Sequence, residues 1–391
     1  MEPVDWKVMD EATTEEELMS IETLMEQMIQ HEASDLHLAP DQRPLFRIEG
    51  ELKYVSDFRN RLPSCVVESL AGELVGRPVE EILSENGSFD GATTSKSNGR
   101  FRYNIYKRLP GCSIALRQLA SRFRTLKELG LPETLSKWCN LVDGLVLISG
   151  PTGSGKSTTL STLIDRINRE RAAHIITIED PIEYLHDSLR GRIDQLQVGV
   201  HTPDFKTALV ASLRQDPDVI LVGEIRERET IRTAITAAET GHLVFATVHA
   251  PDCAGAIQRI VSVFPADEQP GILRQLSMNL RGVLSQHLVP ADGPASNQIT
   301  KKQERRARVL LSEILQITPA TSNLIAKGQF QNIYSFIETG AKHDMQTLDQ
   351  SLLNWIKTGH LLKATALTYT RNSNALEKRI ERSRMSNNDG N

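Results

Sequence analysis

The chain has 391 residues, 39% hydrophobic and 24% charged, with a formal net charge of −5. At roughly 100 to 200 residues per domain, that length excludes one small module, and the composition excludes a disordered tail, a collagen-like fibre or a coiled coil. The slightly acidic balance offers the nucleic-acid backbone no global attraction, so no nucleic-acid partner is expected; the four cysteines, Cys65, Cys112, Cys139 and Cys253, form no Cys-x-x-Cys pair, which argues against a disulfide framework or a structural metal site.

The N-terminus, Met1-Glu2-Pro3-Val4-Asp5, is acidic where a secretory signal is basic, and no apolar run approaches the roughly 20 residues of a membrane helix. A cytoplasmic chain with reduced thiols is expected, with any membrane association peripheral or through a partner. From Thr14 to His31, Leu18, Ile21, Leu24, Met25, Met28 and Ile29 recur at helical spacing, and Thr14 with Glu17 can form a capping box. Leu45 to Ile48, Leu52 to Val55, Arg100 to Tyr106 and Ser113 to Leu116 read as short strands, and the polar stretch Gly87 to Asn98 as a loop or hairpin tip. These elements predict a small α+β domain over residues 1–120. A mixed segment containing Gly130-Leu131-Pro132 follows and is expected to be a linker, residues 121–143.

Beyond it the pattern changes. Gly144 to Ser149, Ile175 to Ile178, Val219 to Val222 and Leu243 to Val248 read as buried strands, alternating with helical segments at Lys156 to Arg169, Phe205 to Arg214 and Arg228 to Thr240. That alternation predicts an α/β domain with a largely parallel sheet, residues 144–372. Pro290 to Arg308, holding Lys301, Lys302, Arg305, Arg306 and Arg308, reads as a solvated basic loop. Helical stretches at Asp349 to Thr358 and Asn374 to Arg384 close the chain, with residues 373–391 expected to be a polar tail.

One motif carries explicit chemistry. Gly150-Pro151-Thr152-Gly153-Ser154-Gly155-Lys156-Ser157 satisfies Gly-x-x-x-x-Gly-Lys-Ser/Thr between a predicted strand and a predicted helix, and Thr158 continues it. Its glycines let backbone N–H groups curl around phosphates, and the helix N-terminus adds partial positive charge. Lys156 can reach the β/γ-phosphates of ATP and the Ser157 hydroxyl can hold Mg²⁺. Two acidic clusters at strand ends, Ile178-Glu179-Asp180-Pro181-Ile182-Glu183 and Gly223-Glu224, suit water orientation and Mg²⁺ coordination, because such ends line the ligand crevice of parallel α/β sheets.

The stretch Leu213-Arg214-Gln215-Asp216-Pro217-Asp218-Val219-Ile220-Leu221-Val222-Gly223-Glu224-Ile225-Arg226, followed by Glu229-Thr230, resembles the signature of the type II/type IV secretion and pilus ATPases. Ala33-Ser34-Asp35-Leu36-His37-Leu38, an Asp box from Thr177 to Glu183, a His box from Gly241 to His249 and Val263-Phe264-Pro265 extend the resemblance in order. Over roughly residues 20 to 365 the chain is most similar to the pilus retraction ATPases of twitching motility. Arg226 is followed by Glu227 where the family usually has Asp. The four-cysteine zinc element usual in assembly ATPases has no counterpart. The Ala-Ile-Arg-Asn-Leu-Ile-Arg-Glu motif of retraction enzymes is present only as Ala320-Thr321-Ser322-Asn323-Leu324-Ile325-Ala326-Lys327, without its arginines.

The resemblance implies a RecA-like P-loop domain preceded by a smaller PAS-like α+β domain, assembled as a homohexamer in which one subunit's N-terminal domain packs on its neighbour's ATPase domain. It implies Lys156 and Ser157 on phosphate and Mg²⁺, Glu183 as the residue that activates the attacking water, and Glu224 supporting Mg²⁺ and water. His242 and His249 would sense the γ-phosphate or join the subunit contact. Arg102 and Arg117 are candidates to bring positive charge to the transferred phosphoryl group across the ring. The expected work is pilus retraction through an inner-membrane platform protein, in the company of a paralogous pilus ATPase. Alternatives are a weakly active or non-hydrolysing accessory of such a paralogue, the ATPase of a conjugative or type IVb pilus system, and, less favoured, a DNA-translocating ATPase.

Overall fold

The computed structural model describes residues 19–55, 58–119, 122–295 and 308–388. The proposed Thr14/Glu17 capping box and the basic residues Lys301, Lys302, Arg305 and Arg306 lie outside them. The chain divides into two compact units, one of residues 1–122 with 181–185, the other of residues 123–180 with 186–391.

In the first unit, helix α1 (Ile21–Gln30) opens at Ser20, whose hydroxyl accepts the Thr23 N–H, and buries Ile21, Leu24, Met25 and Met28 on one face. Strands β1 (Asp35–Leu38), β2 (Leu45–Ile48) and β3 (Glu51–Tyr54) lead to helices α2 (Ser64–Val75) and α3 (Val79–Asn86). Strands β4 (Ser88–Thr94), β5 (Arg100–Lys107) and β6 (Cys112–Gln118) complete an antiparallel sheet of order β3-β2-β1-β6-β5-β4. Leu36, Phe46, Phe101, Ile105, Ile114 and Leu116 join the buried residues of α1 and α2 in one apolar core. The stretch expected to be a loop is in fact mostly the edge strand β4, paired with β5 from Ser88 to Thr94. Its mixed composition reflects an edge position, where the one buried residue of the seven is Gly91.

The second unit is built on a seven-stranded sheet of order β13-β12-β7-β11-β10-β8-β9. Strands β7 (Gly144–Ser149), β8 (His174–Glu179), β9 (Arg192–Gln197), β10 (Val219–Val222) and β11 (Leu243–Val248) run parallel, and β12 (Leu280–Pro290) joins β7 in parallel while pairing antiparallel with β13 (Arg308–Gln316). The central strands are apolar throughout because both faces are covered. One set, including Leu145, Leu147, Ile220 and Val244, packs under helices α5 (Phe205–Ser212), α6 (Arg228–Glu239), α7 (Cys253–Ser262) and α8 (Gln269–Asn279). The alternate set, Val146, Ile148, Leu221 and Phe245, packs under α4 (Lys156–Glu170) and the 3₁₀ segment Glu133–Asn140. The expected linker therefore places Leu126, Leu135 and Trp138 in this core.

Helices α9 (Pro319–Ala326), α10 (Ile333–Thr339), α11 (Leu348–Lys357), α12 (Lys363–Tyr369) and α13 (Ser373–Asn388) follow the β12–β13 hairpin. The helix expected at Asn374 to Arg384 is α13, and it is more than a polar tail: its Leu376 and Ile380, one helical turn apart, are buried with Val289, Leu311 and Leu352.

Candidate nucleotide site

The parallel strands of the second unit all deliver their C-terminal ends to one edge, and the nucleotide motif lies there. Strand β7 ends at Ser149, and α4 begins at Lys156 with Gly155 in a left-handed conformation before it. Gly150 has φ 139°, and a Cβ there would collide with the Gln286 carbonyl oxygen of β12, so glycine is required where the loop turns out of the sheet. The loop encircles its own lysine: Lys156 Nζ donates to the carbonyls of Gly150 at 2.8 Å and Pro151 at 3.1 Å. Burial pulls this amine below the ordinary lysine range; Glu224 counters that effect and Arg226 adds to it. The motif's fit to a phosphate rests on this cradle, with Gly153 facing open space and Ser157 exposed at the first turn of α4. Ser154 is buried and its hydroxyl has no partner within the protein.

Glu224 stands just beyond β10, two strands from β7. It accepts both guanidinium arms of Arg226, one at 2.7 Å, and pairs at 3.0 Å with Nε2 of His249, which follows β11. Burial raises the Glu224 carboxyl, but Arg226 and His249 outweigh it and hold the group below the usual glutamate range. The carboxylate is thus ionised and oriented from two sides. Thr247 closes the same edge by donating to the Gly223 carbonyl.

The two histidines of the His box are separated. His242 precedes β11, its Nδ1 against the Ala237 carbonyl at 3.0 Å, while His249 follows it. The intervening strand, at about 3.3 Å per residue, puts His242 some 20 Å away at the opposite edge of the sheet. Within one chain His242 therefore lies a strand's length from the phosphate loop, and His249 is the histidine of the box beside it.

Glu183 is counted with the first unit, where Arg102 stands 3.9 Å from its carboxylate and 3.5 Å from Asp90, and Arg100 donates to the Ile182 carbonyl at 2.9 Å. Arg117, directly across the strand pair from Arg102, is engaged at 2.7 Å by the buried carboxylate of Asp35. Sequence reasoning missed Arg226 as the bidentate partner of Glu224, although an acid and an arginine two apart after a strand were the available signal. It also missed Gln286, fully buried in β12, whose amide donates to Thr159 at 2.8 Å behind the phosphate loop. Among the described residues no helix is long and apolar enough to cross a membrane, and no group of His, Cys, Asp and Glu is arranged to hold a metal ion.

The sequence profile described as Type II/IV secretion system protein matches residues 10–366. An uncharacterised Escherichia coli protein, YggR, is 40% identical over 343 residues, 88% of this chain and 100% of its own length. The type IV pilus retraction ATPase PilT of Pseudomonas aeruginosa is 37% identical over 350 residues, 89% of this chain and 97% of its own. Among solved structures, the pilus retraction motor PilT with bound ADP superimposes with a TM-score of 0.82 at 38% identity, covering 92% of this chain and 99% of that one.

Proposed function

This chain belongs to the type II/IV secretion system protein family, as an ATPase of the PilT type, and from that premise we propose that it couples ATP hydrolysis to pilus retraction. The observation that carries the reading is the lysine-centred phosphate loop sharing one sheet edge with the clamped Glu224–His249 pair. On nucleotide binding Lys156 exchanges its two loop carbonyls for phosphate oxygens, and the backbone N–H groups of residues 153–158 face the polyphosphate. The Ser157 hydroxyl and, in support, the Glu224 carboxylate would hold Mg²⁺, which would supply charge neutralisation on the phosphates. Glu183 takes the proton of the attacking water, Glu224 orients that water, and His249, fixed against Glu224, reports whether the γ-phosphate is present. Arg102 and Arg117 supply positive charge across a subunit boundary of a homohexamer. The ring works at the cytoplasmic face of the inner membrane, on a platform protein that returns pilin subunits to the membrane.

Deletion of the gene should leave pili assembled but unable to retract, with twitching lost and both restored by the intact gene but not by Lys156→Ala. Normal retraction in the deletion strain would refute the role. A second reading, an accessory that works through a paralogous motor, draws support from α9, where Ser322 and Ala326 occupy the arginine positions of the retraction motif and Ser322 is spent on the Ser277 carbonyl. A well-formed hexamer that binds ATP without turnover would favour it.

A further inference from the structure

The segment that carries Glu183 is an excursion. The chain leaves the second unit after Asp180 and rejoins it at His186, so the five residues between, which Arg100 and Arg102 meet at Ile182 and Glu183, enter and leave through two stems. Both stems meet one side chain. Gln195, on the edge strand β9, donates from Nε2 to the Glu179 carboxylate at 3.1 Å and accepts the His186 backbone N–H on Oε1 at 2.8 Å. The rest of the arrangement makes each stem rigid. Glu179 also accepts the Thr177 hydroxyl at 2.8 Å, and Thr177 lies directly beside Gln195 in the β8–β9 register. The His186 ring stacks on Phe123, centroids 4.4 Å apart and planes 23° from parallel. Burial drives the His186 imidazole down to about 4, so it stacks as a neutral ring.

A planar amide is suited to this task because it offers one donor and one acceptor at a fixed separation, and here one goes to each stem. The ends of the loop then cannot drift independently. Small displacements of a proton-accepting group cost rate steeply, since the reacting atoms must meet within a few tenths of an ångström. We propose that Gln195 is a positioning residue for Glu183, its amide stapling the two stems of the excursion that presents that carboxylate. The proposal rests on Glu183 being the base, as argued above.

The test uses the full-length chain. Gln195→Met, similar in length but unable to staple, should lower kcat by about tenfold while leaving the KM for ATP within about twofold, because the staple touches no nucleotide. Gln195→Glu sets two carboxylates against each other and should also be slow; adding Glu179→Gln re-forms the bond with donor and acceptor exchanged and should recover most of the loss, which a variant damaged merely in its fold would not do. In a Glu183→Gln background Gln195→Met should add almost nothing, as expected of residues that act through one another. Full turnover in Glu183→Gln itself would overturn the base assignment. Slow Glu183→Gln combined with normal kcat in Gln195→Met, a loss that adds in full on Glu183→Gln, or no recovery in the exchanged pair would overturn the staple. If Gln195→Met does not fold, the exchanged pair decides alone.

Discussion

The imidazole of His249 stands 3.0 Å from Oε1 of Glu224, the oxygen that the Arg226 guanidinium also engages, so the acid at the end of β10 is held by side chains from two different turns. This grip makes Glu224 an oriented group. His249→Ala should therefore reduce kcat by about ten- to a hundredfold and leave ATP affinity nearly unchanged, measured by steady-state turnover beside nucleotide titration. His242→Ala, at the opposite edge of the sheet, should leave both parameters near those of the parent in isolated turnover.

Glu183→Gln keeps the size of the side chain and removes its basicity. ATP binding should persist and turnover should fall by about 10² or more, within the range expected for loss of a positioned general base. Single-turnover measurements with saturating ATP check this separately from product release.

The pairing of Asp35 predicts an acid sensitivity. Its carboxyl is buried, which opposes ionisation, but the Ser34 hydroxyl, Arg117 and Arg47 outweigh burial and hold it below its ordinary value of 3.8. A carboxyl depressed in the native state stabilises the fold in full above its unfolded value, and that contribution is lost as pH falls through the native one. Asp35→Ala should cost about 1–3 kcal/mol at neutral pH, through a lost buried hydrogen-bonding group, and the difference from the parent should shrink in denaturant titrations below the ordinary carboxylate range.

A packing prediction tests the segment that joins the two patterns of the sequence. A Cβ on Gly282 would run into the indole of Trp138, whose Nε1 donates to Gln316 at 2.9 Å. Gly282→Ala should destabilise the chain by about 1–3 kcal/mol, through overpacking at a site with no free volume, and thermal unfolding measures it.

Thiol accessibility checks the two cores independently. Cys112, Cys139 and Cys253 are buried, and burial pushes Cys112 up to about 11 and Cys139 up to about 12, whereas Cys65 is exposed. A thiol reagent at neutral pH should label Cys65 rapidly in the native protein and the remaining three only on unfolding.

The parts of the molecule legible in the sequence were those where one physical requirement dominates. Strands covered on both faces must be apolar throughout, so β7, β10 and β11 stood out as uninterrupted runs such as Val219 to Val222. The phosphate loop was legible because its backbone path demands glycine at fixed positions. What escaped notice lies where polar side chains are buried or strands border solvent. Strand β12 carries Ser285 and Gln286 and β13 carries Ser312 and Glu313, all buried, so no apolar run or alternation announces the hairpin. Strand β9, Arg192–Gln197, is an edge strand of mostly polar residues, and Gln195 has no local signal because its partners lie 9 and 16 positions away. The two histidines of one box looked equivalent in one dimension; only the six-residue strand between them separates their environments.

The most direct test of the central claim is steady-state ATP turnover of the purified full-length chain, recorded with its mass in solution and with Lys156→Ala as the reference. Mg²⁺-dependent turnover by a hexamer is expected, falling by about 10² or more in the folded variant, since the cradle loses the lysine ammonium on the phosphates. Turnover unchanged in Lys156→Ala, or a folded hexamer that binds ATP and releases no phosphate, would contradict it.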